Sequence, residues 1–315
     1  MSDVVVVGAG IVGLCAAAVL RERGHAVAVW AKDDPADTVS AVAGAIWYPF
    51  LAEPRERVLG WGAATFRRLA VFAQDPASGV RMQRVVEVFA TAEPDLWLAS
   101  ASGPITRLPR ERVPAGYAAA IELDVPVCDV PIHLPWLRGQ LLARGVRFEQ
   151  RTVRSFAEAF AQARIVVNCT GLGAAELCGD RQLQPVRGQV IVVERRDVPH
   201  ALIDDTAAQP FYVIPRRDDV VLGGTAQPGD TRLAADVADT RAILDGIAAR
   251  MPCLLGAAIR AVKVGLRPYR STVRVEAERR PDGGLLVHDY GHGGSGYTLA
   301  WGCAEEVAAL VGPAG

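Results

Sequence analysis

The first thirty residues constrain this chain more than any other stretch. Asp3 to Val7 is a β-branched run that ends in Gly8-Ala9-Gly10-Ile11-Val12-Gly13, and Leu14 to Arg23 continues as an alanine-rich helix closed by Gly24. Ala26 to Trp30 reads as a second strand. Strand, G-x-G-x-x-G, helix and strand in that order is the context that lifts the motif above a chance match. Gly8 makes the tight turn, Gly10 admits a pyrophosphate to the backbone, and Gly13 lets helix and strand pack closely. Against the plain alternative of a βαβ unit without a ligand, this spacing favours a dinucleotide site, open at this point between NAD(P) and FAD. An acid usually holds the ribose hydroxyls at the end of the second strand. Here Trp30-Ala31-Lys32 stands there, with Asp33 and Asp34 just beyond, so Asp33 is the ribose candidate and the lone Lys32 is weak ground for a 2′-phosphate.

Composition removes other classes. The 315 residues suffice for one large or two intertwined domains, and a formal charge of −1 points to neither nucleic acid nor an anionic membrane surface. Lys32 and Lys263 are the only lysines, and the arginines are scattered rather than patched. No run reaches the roughly 20 apolar residues of a membrane span. Six cysteines (Cys15, Cys128, Cys169, Cys178, Cys253, Cys303) form no CxxC pair and read as small buried residues of a reducing compartment. The closing residues Val311 to Gly315 carry no targeting tripeptide, so the expectation is cytoplasmic. There is no Ser/His/Asp elbow and no HExxH, and His292 is the one histidine near the stretches that follow.

Two of those stretches matter. Leu286 to Ala304 carries Gly291, Gly293, Gly294 and Gly296 ahead of a run, Thr298 to Val311, that reads as a buried helix. A glycine turn before a helix start brings free N–H groups and a positive dipole end against whatever lies in front. Thr38 and Val39 lead into Ser40-Ala41-Val42-Ala43-Gly44-Ala45-Ile46-Trp47-Tyr48-Pro49-Phe50, a small-residue helix start running into aromatics and proline. Small residues let a chain lie against a flat ring system, and the aromatic end suits a pocket wall.

Between them the chain alternates. Trp61 to Gln74, Ile132 to Gly145 and Ala234 to Arg250 read as helices. Val80 to Ala90, Ile121 to Val130, Val146 to Gln150 and Ile165 to Val167 read as strands, with Val190 to Val193, Phe211 to Pro215, Val220 to Gly224 and Ala261 to Arg274 forming an antiparallel sheet. Ile165 to Gly171 ends in Asn168-Cys169-Thr170-Gly171; Asn168 and Cys169 read as structural, since no histidine partner is indicated.

Gly8 to Gly13, the Thr38 to Phe50 segment and the C-terminal glycine stretch together resemble the D-amino-acid oxidase family of FAD enzymes. Ile165 to Gly171, Pro185 to Gln189 and Gly265-Leu266-Arg267-Pro268-Tyr269-Arg270 are similar to it as well, so the likeness runs from one end of the chain to the other. It implies an α/β fold: a discontinuous Rossmann-type FAD-binding domain (residues 1–52, 130–186 and 284–315) with an interleaved antiparallel-sheet substrate-binding domain (53–129 and 187–283). FAD would be held by Gly8, Ala9, Gly10, Ile11, Val12, Gly13, Lys32, Asp33, Thr38, Val39, Ser40, Gly44, Ala45 and Ile46. Val153, Cys169, Thr170, Gly171, Gly293, Gly294, Ser295, Gly296, Tyr297 and Thr298 complete that set.

The same resemblance implies that Arg267 takes both oxygens of a substrate α-carboxylate, Tyr212 adds a third bond, and the Gly294 carbonyl accepts from the amine. The α-hydrogen would pass as hydride to flavin N5 with no general base. Helix amides from Ser295 to Thr298 would face the charge of the reduced ring. Ile46, Tyr48, Phe50 and Ile214 give the pocket an apolar or aromatic wall, where a second carboxylate would cost several kcal/mol. Neutral, fairly hydrophobic D-amino acids are the expected substrates, with dioxygen as acceptor and hydrogen peroxide, ammonia and a 2-oxo acid as products.

Departures from the family are three. Thr206-Ala207-Ala208-Gln209 stands where a lid tyrosine is found, implying a more open mouth. Ala226 follows Gly223-Gly224-Thr225 where D-aspartate oxidases carry arginine, and Asp289 stands where Asn, His or Ala is typical. Arg216 or Arg217 pointing inward would overturn the neutral preference. The other readings are a D-aspartate oxidase, an FAD-dependent D-amino-acid or glycine dehydrogenase, an NAD(P) dehydrogenase, and a flavin-binding module without activity. Neither nucleic acid nor membrane is an expected partner, and a homodimer is allowed.

Overall fold

Four consecutive valines leave β1 (Val4–Val7) no polar face, and the strand is buried on both sides, as a central parallel strand must be. The computed structural model describes residues 3–204, 206 and 209–314; Ala207 and Ala208, within the segment expected to lack the lid tyrosine, lie outside them. After β1 come α1 (Ile11–Glu22), β2 (Val27–Ala31), α2 (Arg55–Phe72), β3 (Val80–Phe89), β4 (Ile105–Arg107) and β5 (Ala119–Cys128). Then follow α3 (Val130–Ala143), β6 (Arg147–Gln150), α4 (Phe156–Phe160), β7 (Ile165–Asn168), α5 (Ala174–Cys178), β8 (Gln184–Glu194) and β9 (Ala201–Asp204). The rest is β10 (Phe211–Pro215), β11 (Asp219–Gly223), β12 (Gln227–Pro228), α6 (Val237–Arg250), β13 (Ile259–Arg279), β14 (Leu285–His292) and α7 (Gly296–Val311).

These strands form one sheet in the order β4-β5-β3-β9-β10-β11-β8-β13-β14-β7-β1-β2-β6, with β12 beside β8. From β14 to β6 neighbouring strands are parallel, the doubly wound arrangement expected of the glycine motif. From β5 to β13 the pairs are antiparallel except β3 with β9. The 21-residue β13 stitches the halves together, pairing with β8 and with β14.

Helices α1, α3 and α7 cover one face of the parallel half around Leu14, Val29, Val287, Leu299 and Ala300, and α2 brings Val58, Trp61 and Leu69 into the same core. The opposite face packs Phe156 and Ala159 of α4 on Val5, Val7 and Val166. On the antiparallel half, α6 sets Ile243 and Ile247 against Val193, Val213 and Leu222. Among the described residues no helix is long and apolar enough to cross a membrane.

The segment expected to begin a helix at Ser40 does not. It makes one 3-10 turn, Val39–Val42, and then runs extended past Ala45 and Leu51, both at positive φ. Its hydrogen bonds go to distant partners: Trp47 N–H to the Pro126 carbonyl at 2.9 Å, and the Ala45 carbonyl to Cys128 N–H at 2.9 Å. A chain bonded outward in this way has no amides left for an i→i−4 ladder. Helix α2 also begins earlier than the periodicity predicts, because Pro54 supplies its N-cap residue and Arg55 the first turn.

Candidate active site

A cavity of about 1030 Å³ runs along the carboxyl ends of the parallel strands into the antiparallel half. Its floor is set by glycines that tolerate no side chain. A Cβ on Gly8 would lie 2.3 Å from the Cys169 carbonyl oxygen, and one on Gly13 would lie 2.0 Å from the Gly8 carbonyl oxygen. Loop, helix and β7 are therefore locked at backbone contact. Of the residues expected at the cofactor, Gly8 to Val12, Lys32, Asp33, Thr38 to Ser40, Gly44 to Ile46, Val153, Cys169 to Gly171, Gly293, Gly294, Gly296 and Tyr297 line the cavity. Gly13, Ser295 and Thr298 stand behind its wall.

Two helix N-termini meet over this floor. Helix α1 starts after Gly10 with no side-chain cap, and Ser40 Oγ accepts from Ile11 N–H at 3.0 Å. Helix α7 starts after Ser295, and Tyr297 Oη donates to the Ser40 carbonyl at 3.1 Å. Ser40 thus ties both starts together, and two positive dipole ends face one space. The amides expected to face ring charge are fewer than the sequence implies. Ser295 N–H donates to the His292 carbonyl at 2.8 Å and Thr298 N–H to the Ser295 carbonyl at 3.0 Å, which leaves Gly296 and Tyr297 from that run.

The hydroxyls of Ser295 and Thr298 do something else. Ser295 Oγ accepts from Phe50 N–H (2.7 Å) and donates to the Phe50 carbonyl (2.8 Å). Thr298 Oγ1 accepts from Tyr48 N–H (3.2 Å) and donates to the Tyr48 carbonyl (3.0 Å). Two side chains of the α7 start therefore hold the 48–50 segment in place of a neighbouring strand. The opposite end of the cavity carries Lys32, Asp33, Arg151, Val153 and Arg154. Lys32 Nζ lies 3.6 Å from Asp33 Oδ2, and the Arg151 guanidinium lies 4.2 Å from the Trp30 ring centre. An elongated site that joins a helix start to a glycine-lined slot fits a dinucleotide.

Beyond Gly44 the cavity becomes a pocket walled by Ile46, Tyr48, Phe50, Tyr212, Ile214 and Arg267. Arg267 Nη1 donates to the Thr225 carbonyl at 2.8 Å, and its guanidinium lies 5.7 Å from the Phe50 ring centre. One donor is spent on orientation, and the rest of the fork stays available for a ligand. A Cβ on Gly188 would sit 2.2 Å from Arg267 Nη1, and one on Gly223 would sit 2.0 Å from Tyr212 Cζ. Each pocket side chain thus lies flat over a glycine of a neighbouring strand. Gly294 is held against Phe50, where a Cβ would meet the ring at 2.6 Å. Tyr212 stands opposite Gly223 in register, whereas Gly188 pairs with Gly265 and meets Arg267 diagonally, two residues along β13; the sequence displays neither relation.

Arg216 and Arg217 do not line the pocket. Arg216 is buried in a two-pronged pair with Asp219 (2.7 and 2.8 Å), and Arg217 Nη2 donates to the Pro76 carbonyl. Asn168 is structural: its Oδ1 accepts from Thr170 N–H and Oγ1, and its Nδ2 faces His288. Asp289 and His292 line the cavity and are buried, with His292 Nε2 3.2 Å from Asp289 Oδ1 but without hydrogen-bond alignment. Burial pushes the Asp289 carboxyl up from its ordinary range, and His292 only partly opposes this.

Comparison with known proteins places this geometry. The family model described as FAD dependent oxidoreductase matches residues 3–310. A D-amino-acid oxidase of Rubrobacter xylanophilus is 44% identical over 312 residues, 98% of this chain and 96% of that protein. A D-aspartate oxidase of Homo sapiens is 34% identical over 324 residues, 98% of this chain and 94% of that protein. Among solved structures, glycine oxidase from Geobacillus kaustophilus superposes with a TM-score of 0.82 at 20% identity, covering 98% of this chain and 94% of that one, a likeness of fold.

Proposed function

The chain belongs to the family of FAD-dependent oxidoreductases, and from that premise we propose that it is a D-amino-acid oxidase acting on neutral, fairly hydrophobic D-amino acids. The observation that carries the reading is the convergence of Arg267, Tyr212 and Gly294 in one pocket at the glycine-rich end of the cavity. The overall reaction converts a D-amino acid, dioxygen and water to a 2-oxo acid, ammonia and hydrogen peroxide. FAD, when bound, supplies the two-electron acceptor and passes the electrons to dioxygen.

The chain's own residues do the rest. Gly8 to Val12 and the α1 start would hold the pyrophosphate, Asp33 and Val153 the adenosine end, and Gly44 to Ile46 with Gly293 to Tyr297 the ring system. Arg267, fixed by the Thr225 carbonyl, takes the α-carboxylate in the plane of its guanidinium, and the Tyr212 hydroxyl adds a bond. The Gly294 carbonyl accepts from the free amine. Those contacts fix two substituents of Cα, and the third, the side chain, is left to Ile46, Tyr48, Phe50 and Ile214. Three positions held together decide which face of Cα meets the ring and which enantiomer reacts. With Arg216 committed to Asp219 and Ala226 in place of an arginine, an acidic side chain finds no second cation in the pocket among the described residues, which favours this reading over D-aspartate oxidase.

We also propose that residues 1–52, 130–186 and 284–315 form the cofactor-binding domain and 53–129 with 187–283 the substrate-binding domain. The protein would be cytoplasmic and, when associated, a homodimer. A panel of D- and L-amino acids with peroxide detection tests the function. Peroxide from neutral D-isomers is expected; activity on L-isomers, or turnover that needs a quinone acceptor, refutes it. In the same panel Arg267→Ala should raise KM on the order of a hundredfold while the flavin content stays unchanged.

A further inference from the structure

We infer that Thr225 is the positioning residue of Arg267: a β-bulge at residues 224–226, closed by the Thr225 hydroxyl, presets the guanidinium for a carboxylate. This rests on the oxidase reading above, which makes Arg267 the carboxylate ligand. Strand β13 occupies one edge of β8, so β11 and β12 both pair along the other. They do not share a register. Gly223 stands opposite Val190 and Gln227 opposite Arg187, so Gly224, Thr225 and Ala226 face only Gln189 and Gly188. One extra residue in an antiparallel pair is a bulge, which interrupts the ladder and re-aims the groups within it.

Thr225 is buried, and its side chain takes over where the ladder stops. Gln189 N–H donates to Thr225 Oγ1 at 2.9 Å, which frees the Thr225 carbonyl to accept from Arg267 Nη1 at 2.8 Å. On either side, Gly224 N–H donates to the Pro210 carbonyl and Ala226 N–H to Gln209 Oε1, both at 2.7 Å. Those two bonds tie the flanks to the chain ahead of β10, and the Thr225 hydroxyl ties the middle to β8. Side chains alternate along β8, so Gly188 makes room for the guanidinium while Arg187 and Gln189 point to the other face. Both are fully buried there. Arg187 Nη2 donates to Gln189 Oε1, and Gln189 Nε2 donates to the Asp236 carbonyl and to Thr240 Oγ1, each at 2.9 Å. The amide that holds Thr225 is thereby fixed in turn. An arginine that its ligand must order takes that cost out of affinity, and one ordered beforehand does not. The Thr225 carbonyl orders Arg267 with one donor and leaves the rest of the fork open.

A double-mutant cycle on the holoenzyme separates positioning from mere support. Thr225→Val keeps the shape and removes the acceptor, and Thr225→Ser keeps the acceptor. Thr225→Val is expected to raise KM for D-alanine on the order of tenfold while kcat changes by less than about threefold, and Thr225→Ser should restore KM to within about threefold. Hexanoate, a carboxylate without an amine, followed by the shift in flavin absorbance, should lose affinity by the same factor in Thr225→Val. In the Arg267→Ala background that loss should vanish, because Thr225 acts through the guanidinium. The melting temperature should fall in both backgrounds, since the Gln189 N–H loses its partner either way. If Thr225→Val does not fold, Thr225→Ala carries the same expectations, as its smaller side chain lets water reach that amide. Unchanged hexanoate affinity in Thr225→Val overturns the inference, as does an equal loss in the Arg267→Ala background, which would mark Thr225 as a support for the sheet only. If the unaltered protein binds hexanoate but oxidises no D-amino acid, the oxidase reading fails, and the cycle still decides the role of Thr225. No binding of hexanoate at all overturns both.

Discussion

Asp289 is a carboxylic acid among thiols. It lies at the carboxyl end of β14, fully buried, with Cys15, Cys169 and Cys303 from α1, the β7 loop and α7 close enough for their titration to be raised by it. His292 stands 3.2 Å away, and Glu306 adds a further negative charge that disfavours ionisation. With neither oxygen in an aligned hydrogen bond, the neutral acid is the cheaper occupant of this site. A carboxyl whose folded pKa lies above its ordinary value of 3.8 binds more protons folded than unfolded between those two values. Stability contributed by the site therefore falls as pH rises from about 4 toward the raised folded pKa, and the loss is complete above it. Asp289→Asn keeps the shape and abolishes the titration. With FAD in excess, the melting temperature of the variant minus that of the unaltered protein should rise between pH 4 and pH 8. A difference that falls with pH would mean that Asp289 is ionised and paired with His292.

At the scale of elements, the glycine-rich turn leads into α7, and Gly302 is where α7 meets α2. A Cβ there would lie 2.4 Å from Trp61 Cα and 2.3 Å from the Trp61 carbonyl oxygen, atoms that no rotamer change can move. Gly302→Ala is expected to cost about 2 kcal/mol through overpacking. Gly60, one position before that same contact, is exposed on α2, and a Cβ there would meet nothing within 4 Å. Gly60→Ala should instead stabilise by about 0.5–1 kcal/mol, since alanine loses less backbone entropy in a helix. Denaturant titrations of the two variants check the pair, and like signs would refute this account of the helix crossing. How much of these elements can be read from the chain depends on how local their bonds are. The β1–α1–β2 unit was legible because its glycines, β-branched run and alanine helix are all short-range. The 40–50 segment was not, because its partners are Pro126, Cys128, Ser295 and Thr298. Ser295 and Thr298 read as ring contacts by position alone, whereas their hydroxyls hold the pocket wall. The resemblance points to Arg267 and Tyr212, but Gly188 and Gly223, on which they lie, belong to other strands and emerge only from the three-dimensional packing.

On the scale of the whole molecule, a single sheet has a parallel and an antiparallel half, and β13 is the element that joins them. It pairs with β8 along its first half, places Arg267 in the pocket, and then pairs with β14, which leads into the glycine turn and α7. The cavity draws its lining from Gly8 to Val12 in the parallel half and from Tyr212 and Ile214 in the antiparallel half. A cofactor bound there would touch both cores, so its binding free energy would belong to the whole sheet rather than to the parallel half alone. At free FAD a hundredfold above its dissociation constant the native state gains about 2.7 kcal/mol. For a chain of 315 residues that corresponds to about 4 °C in melting temperature. The gain should appear in one transition, and the amides of β10 and β11 should gain hydrogen-exchange protection together with those of β1 and β2. If FAD instead raises protection in β1, β2 and β7 only, leaving a second, unshifted transition for the antiparallel half, then β13 does not couple the halves and the pocket forms independently of the cofactor.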